Sequence, residues 1–92
     1  MSVSITSATL QNGKIRAEGT APGEPTWTLN CYNGTTLLPD HPGPTGHDTF
    51  SGGYYAEWTG SDVPAATSYR VVAGYQDRQP VNAPVSMLPP PQ

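Results

Sequence analysis

The densest cluster of chemically capable side chains lies between residues 40 and 48. Asp40 and His41 precede a Pro-Gly turn, and His47 and Asp48 follow it, so that two Asp/His pairs bracket the segment in near mirror symmetry. Imidazole and carboxylate groups are ligands that transition metals accept. A Pro- and Gly-rich segment is equally typical of a solvated connection in which Asp residues cap turns. We favour the solvated connection, expect no cofactor, and keep the four residues as metal candidates.

Cys31 is the single cysteine and the obvious candidate nucleophile. It alternates with Leu29 and Trp27, a pattern that favours a buried small hydrophobic residue. The chain has no Gly-x-Ser-x-Gly elbow and no phosphate-binding glycine loop. Its seven acidic residues are scattered, and nothing nominates two that face each other across a groove. We therefore expect that the protein is not an enzyme and has no catalytic residues.

Aromatic side chains offer a different kind of site. Strand alternation predicts that Tyr32 and Tyr55 point outward, and with Trp58 they would form an exposed platform for sugar stacking or protein contact. The alternative is that the aromatic residues fill the core. Both interpretations stay open at the level of the sequence.

Charge limits the partners that the chain can bind. Charged residues make up 12% of the 92 residues, against about 25% in an average globular domain. The net charge is −3, and the only basic residues are Lys14, Arg16, Arg70 and Arg78. Without a basic stripe or a polybasic cluster, we expect neither nucleic-acid binding nor membrane binding.

One cysteine cannot form an internal disulfide. Residues 1–20 carry no signal-peptide pattern, so we expect synthesis in the cytoplasm if Met1 is the natural start.

Any site must be positioned by β-strands. Gly and Pro together number 21 of 92 residues, and apolar residues alternate between them. Short alternating runs separated by turn signals are typical of an all-β sandwich or barrel. We predict one domain over residues 1–88 and a stiff Pro-rich tail over 89–92. The seven predicted strands span residues 2–11, 14–19, 26–32, 35–38, 49–58, 68–76 and 81–88, with a long loop over 39–48. Gly52-Gly53 predicts a bend or bulge within the fifth strand.

Two Asn-Gly dipeptides mark the strongest turns. Asn12-Gly13 predicts a type I′ hairpin, because both central positions of that turn need positive φ. This hairpin pairs Leu10 with Ile15. Asn33-Gly34 predicts a second hairpin. Pro84 predicts an edge position or a bulge in the last strand, since proline cannot donate to a sheet.

The first strand and the inner strands carry more detailed patterns. Val3 and Ile5 have one parity and Ala8 and Leu10 the other, which predicts a bulge in the first strand. Alternation in later strands predicts inward positions for a further set of residues, which are Trp27, Leu29, Cys31, Tyr54, Ala56, Trp58, Tyr69, Val71, Ala73 and Tyr75.

Residues Val63–Val71 resemble the corner before the sixth strand of fibronectin type III domains. Val63, Thr67, Tyr69 and Val71 keep the spacing of that corner, whereas Pro64 sits one place early. The resemblance implies that Tyr69 packs inward and that its hydroxyl satisfies nearby backbone.

The opening of the chain is similar to bacterial and phage immunoglobulin-like repeats over Val3–Ala8 and Asn12–Thr20. Trp27 lies near the position where such sandwiches bury a tryptophan. Together the two resemblances imply an immunoglobulin-like or fibronectin type III-like sandwich of about seven antiparallel strands.

Three functional hypotheses follow. We favour a structural accessory protein that decorates a phage capsid or tail, is located in the virion, and docks on a larger assembly through Ser2–Thr9 or the Pro84-containing strand. The first alternative is a carbohydrate-binding or adhesive module of a larger extracellular or cell-surface protein, with Tyr32 and Tyr55 as contacts. The second alternative is a fibronectin-like binder that recognises a protein through loops 21–25 and 77–80, including Asp77 and Arg78.

Overall fold

A computed structural model describes residues 2–89 of the chain. This part of the chain forms nine β-strands and a single 3-10 turn, Gly60–Asp62. The strands are β1 Ser4–Gln11, β2 Lys14–Thr20, β3 Thr26–Asn33, β4 Thr36–Leu37, β5 Gly46–Phe50, β6 Gly53–Trp58, β7 Ser68–Gly74, β8 Val81–Pro84 and β9 Ser86–Met87.

The strands form two sheets that share one core. The five-stranded sheet has the order β5-β6-β2-β1-β9, and the four-stranded sheet has the order β4-β3-β7-β8. All pairs are antiparallel except β1 with β9. Buried residues of both sheets form a single hydrophobic cluster. The prediction of an all-β, sandwich-like fold is confirmed.

Strand alternation sets which residues enter this core. Trp27, Leu29 and Cys31 of β3 are buried, and their neighbours in sequence face outward. Residues of β2, β6 and β7 with the same inward parity complete the core, and these are Ile15, Ala17, Ala56, Trp58, Tyr69, Val71 and Ala73. The period of two in the sequence therefore predicted the inward face of each inner strand.

The first hairpin is as predicted. Asn12 and Gly13 have φ values of 55° and 73°, which the type I′ turn requires. Leu10 pairs with Ile15, and the register shifts between Ile5 and Ser7. This shift is the bulge that the change of parity predicted.

The predicted strand 49–58 is instead a hairpin. Its strands β5 and β6 are joined by Ser51-Gly52, with φ values of 47° and 81°, and β5 begins at Gly46 within the predicted loop 39–48. Serine rarely adopts positive φ, so Ser-Gly is a weaker turn signal than Asn-Gly. The sequence predicts only a bend or bulge at Gly52-Gly53 within one strand, whereas the structure has a hairpin turn one residue earlier.

The predicted strand 81–88 is also divided. Pro84 ends β8, the edge strand of the four-stranded sheet, and the edge position is as predicted. The backbone N–H of Val85 donates to the carbonyl of Tyr69 (2.9 Å), and β9 then joins β1 in the other sheet. These two divisions account for the nine strands in residues 2–89 where seven are predicted.

Two smaller predictions concern a turn and the tail. Asn33 pairs with Thr36, so the loop is Gly34-Thr35, and Gly34 carries the positive φ of 63°. Of the predicted tail 89–92, only Pro89 lies within the described residues, and its carbonyl accepts a hydrogen bond from Gln11 Nε2 (2.8 Å).

Within residues 2–89, no helix has the length and apolar character needed to cross a bilayer.

Candidate functional site

The four metal candidates do not converge. His41 Nδ1 lies 2.9 Å from Asn30 Oδ1, and His47 Nδ1 lies 2.6 Å from Glu24 Oε1. His47 and Asp48 are neighbours in β5, so their side chains point to opposite faces of the sheet. Residues 2–89 hold no group of three or more His, Cys, Asp or Glu side chains placed to bind a metal ion.

The segment that carries Asp40 and His41 is tethered to the sheets and is more than a solvated connection. The carbonyl of Pro42 accepts hydrogen bonds from the backbone N–H of Leu29 and from Trp58 Nε1, both at 3.1 Å. The backbone N–H of Thr45 donates to the carbonyl of Glu57 (2.7 Å). The segment thus covers one open side of the core between the two sheets.

Cys31 lies fully inside the core. Burial, and secondarily the charge of Asp40, raises the pKa of its thiol. Both effects disfavour the reactive thiolate. The position of Cys31 is that of a small apolar residue, as its alternation with Leu29 indicates.

The predicted aromatic platform does not form. Trp58 is fully buried, and its indole N–H is bonded to Pro42. Tyr32 lies on β3 and Tyr55 on β6, each on the outer face of a different sheet. The two tyrosines therefore face opposite sides of the molecule and cannot share a ligand.

Tyr55 belongs instead to a compact group on the outer face of the five-stranded sheet, which we call the Arg16 cluster: Arg16, Glu18, Phe50, Tyr55 and Glu57. The guanidinium carbon of Arg16 lies 4.1 Å from the ring centre of Tyr55 and 5.3 Å from that of Phe50. Phe50 and Tyr55 meet edge to face, with ring centres 6.4 Å apart. This arrangement combines cation–π contact with aromatic packing.

Two carboxylates hold the guanidinium of Arg16 in place. Arg16 Nε donates to Glu18 Oε2 (3.0 Å), and Arg16 Nη1 donates to Glu57 Oε2 (2.8 Å). Lys14 Nζ also lies 3.0 Å from Glu57 Oε2. The contacts with Lys14 and Arg16 lower the pKa of the Glu57 carboxyl below its ordinary value, and the bond with Glu18 is the largest cause of a raised Arg16 pKa. Both shifts favour the charged forms of Arg16 and Glu57.

A shallow cavity of about 200 Å³ opens beside the Arg16 cluster, and we call it the Phe50 pocket. Its walls are Thr6, Glu18, Gly19, Thr20, Phe50, Ser51, Gly52, Gly53 and Tyr54. Nearly half of the Phe50 surface, 47%, is exposed to solvent. Sequence reasoning missed Arg16, Glu18 and Phe50, because only the register of β2, β5 and β6 brings them together.

Tyr69 has the contact that the fibronectin resemblance implies. Its hydroxyl donates to the carbonyl of Pro64, five residues upstream, and burial raises its pKa. The backbone N–H of Thr67 donates to the carbonyl of Tyr32 (2.8 Å), and Gly34 N–H donates to Thr67 Oγ1 (2.8 Å). These bonds fix the corner between β6 and β7 against the turn after β3.

The two loops proposed for protein recognition adjoin each other. Asp77 and Arg78 are exposed in the loop after β7, which is closed by a bond from Arg78 N–H to the Tyr75 carbonyl (3.0 Å). A Cβ atom added at Gly23 would lie only 2.7 Å from the Tyr75 hydroxyl oxygen. Loop 21–25 therefore packs directly against the base of the loop that carries Asp77 and Arg78.

The last strand leaves large apolar side chains in solvent. Met87 is 51% exposed and Leu88 is 43% exposed. The backbone N–H of Leu88 donates to the carbonyl of Leu10 (2.8 Å), so this segment is held on β1 by its inner side. We call residues 86–89 the C-terminal edge, because β9 is the outermost strand of its sheet.

The described surface thus offers three features of interest: the Arg16 cluster with the Phe50 pocket, the paired loops, and the C-terminal edge. Comparison with models of known families, with curated proteins and with solved structures found no match to this chain.

Proposed function

We propose that the protein is a non-enzymatic, immunoglobulin-like module that docks on a larger protein assembly, as a decoration protein of a phage capsid or tail. The carrying observation is the C-terminal edge, where Met87 on an outermost strand and Leu88 directly after it both expose large apolar side chains. Adjacent exposed apolar residues mark contact surfaces more often than isolated ones do.

The immunoglobulin-like type is supported by strand order. The order β5-β6-β2-β1 matches the D-E-B-A order of an immunoglobulin sheet, and β3-β7-β8 matches C-F-G. The Tyr69 hydroxyl bonds to backbone a few residues upstream, like the tyrosine corner of such domains. Trp27 is buried on the third strand, where antibody domains also bury a tryptophan.

Docking through the C-terminal edge uses both backbone and side chains. β9 covers β1 only at Thr9 and Leu10, so the backbone of Ser4–Ala8 has no strand paired on that side among the described residues. An unpaired sheet edge accepts an extended segment of a partner by strand addition. Met87 and Leu88 then supply the apolar contacts that backbone pairing lacks. Because the proposed partner is a phage capsid or tail, the proposed location of the protein is the virion.

The carbohydrate-binding alternative has less support. Tyr32 and Tyr55 face opposite sides, and the Arg16 guanidinium already covers the ring of Tyr55. A sugar that stacked on Tyr55 would have to displace a cation held by two carboxylates.

Co-sedimentation with capsid or tail particles tests the proposal. We expect the unmodified protein to pellet with particles at micromolar concentration and the Met87→Ser/Leu88→Ser variant to lose at least about tenfold in affinity, the effect of burying two apolar side chains. Leu37→Ser is the matched control, because Leu37 is also half exposed (49%) but lies on β4 of the other sheet. A protein that stays in the supernatant contradicts the proposal.

The second alternative, recognition through loops, is favoured by one observation. Gly23 packs on Tyr75, so loop 21–25 lies beside the start of the loop that carries Asp77 and Arg78. Asp77→Ala and Arg78→Ala in the same sedimentation assay separate the two proposals. A loss of binding in these variants, with Met87→Ser/Leu88→Ser unaffected, assigns docking to the loops.

A further inference from the structure

We infer that the Phe50 pocket receives a basic side chain, arginine or lysine, from the protein on which this module docks. The inference rests on the proposed docking function and names the chemistry of the partner. Three features of this surface support it: the residues that form the walls of the pocket, the volume of the pocket, and the contacts that the Arg16 guanidinium already makes beside it.

The pocket presents the two groups that a basic side chain prefers. Phe50 offers an aromatic ring that is 47% exposed, and Glu18 is the only charged residue among the walls. Arg16 occupies Glu18 Oε2, whereas Glu18 Oε1 has no hydrogen bond among the described residues. A cation in the pocket would therefore contact the Phe50 ring and the second oxygen of one carboxylate.

Arg16 shows that this face of the sheet suits a guanidinium group. It lies against the same Phe50 ring at 5.3 Å and bonds the same Glu18 carboxylate at 3.0 Å. The inferred partner side chain repeats these contacts from the solvent side.

Size and charge agree with such an occupant. A volume of about 200 Å³ is below the range of about 300–1,000 Å³ typical of small-molecule sites and suits one side chain. Gly52 contributes no side chain, and a Cβ atom added there would meet nothing within 4 Å, so this wall of the pocket is open. Lys14, Arg16, Glu18 and Glu57 balance one another, and Asp48, on the same outer face, adds a negative charge in a protein of net charge −3.

The test uses the complete chain and short peptides. The acetylated and amidated peptide Gly-Gly-Arg-Gly-Gly is titrated into the isotope-labelled protein, and backbone amide shifts are followed by nuclear magnetic resonance. We expect saturable shifts at Gly19, Gly52 and Gly53. The same peptide with citrulline, an uncharged isostere of arginine, should cause none, because it lacks the charge that Glu18 and Phe50 recognise.

Variants decide whether the pocket is responsible. Glu18→Gln and Phe50→Leu should each weaken arginine-peptide binding about three- to fivefold, the effect of one exposed charge or cation–π contact. Asp62→Asn and Leu37→Ala are the controls, since they change an acidic and an exposed apolar side chain that lie outside the walls of the pocket. Both control variants should bind as the unmodified protein does.

Two outcomes would overturn the inference: equal shifts with the citrulline peptide, or binding that Glu18→Gln and Phe50→Leu leave unchanged. Neither result depends on a capsid or tail particle. Peptide binding without sedimentation therefore refutes the docking function alone, and sedimentation without peptide binding refutes the pocket alone.

Discussion

Two tryptophans fill the core with opposite hydrogen-bonding states. Trp58 Nε1 donates to the carbonyl of Pro42 at 3.1 Å, whereas Trp27 Nε1 is buried and has no partner among the described residues. An unsatisfied buried N–H carries the cost of its lost hydration. The two indoles are therefore almost equally buried but contribute differently to the stability of the fold.

Replacing each tryptophan by phenylalanine should expose this difference. Trp58→Phe breaks a hydrogen bond, whereas Trp27→Phe removes a donor that makes none. We expect Trp58→Phe to lower the free energy of unfolding by about 1–2 kcal/mol more than Trp27→Phe does. Urea unfolding followed by the fluorescence of the remaining tryptophan measures both. Equal losses, or a larger loss for Trp27→Phe, would contradict the assignment of hydrogen-bonding states.

At the scale of elements, two hairpins of the same sheet use the same turn with different residues. Asn12-Gly13 joins β1 to β2, and Ser51-Gly52 joins β5 to β6, each with positive φ at both central positions. Asparagine tolerates that conformation better than serine does, because its short polar side chain can bond to local backbone. The β5–β6 turn is thus the less favourable of the two.

Exchanging the residues should shift stability in opposite directions. We expect Ser51→Asn to raise the free energy of unfolding by about 0.5–1 kcal/mol and Asn12→Ser to lower it by a similar amount. Thermal unfolding by circular dichroism measures both variants, and the double variant should return close to the starting value. The expectation fails if Ser51→Asn destabilises the protein.

These two turns show why one hairpin could be predicted from the sequence and the other could not. Asn12-Gly13 correctly predicted a hairpin and the pairing of Leu10 with Ile15 within it. Ser51-Gly52 is a weaker turn signal, so the sequence predicts a loop over residues 39–48 and one strand over 49–58 where the structure has β5 and β6. The Arg16 cluster could not be predicted, because Arg16 and Glu57 lie far apart in sequence and meet only through the β2–β6 register.

At the scale of the whole molecule, the core joins both sheets into one unit. Leu29, Cys31 and Val71 of one sheet and Ile15 and Trp58 of the other have no exposed surface. β8 and β9 also bind the sheets together, since consecutive strands pair with β7 in one sheet and β1 in the other. Exposure of Cys31 therefore requires that the sheets separate.

Cys31 can report on that separation. We expect its reaction with Ellman's reagent to proceed only through global unfolding, so that the opening free energy from labelling matches that from urea unfolding within about 1 kcal/mol. Burial and the raised thiol pKa both suppress reaction in the folded state. A Cys31→Ala/Asp77→Cys variant supplies the rate of an exposed thiol. Labelling much faster than global unfolding would show that the edge near β3 opens locally.

The sequence by itself determined the all-β class, the inward face of each inner strand, the first hairpin and the bulge in β1. These features depend on local preferences, namely side-chain alternation with a period of two and the positive φ of Asn-Gly. Only the tertiary structure decided that Asp40, His41, His47 and Asp48 are separate and that Tyr32 and Tyr55 face apart. It also decided that Arg16 joins Phe50, Tyr55 and two carboxylates. Such groupings depend on which strands are neighbours and in what register, and contacts between distant segments set both.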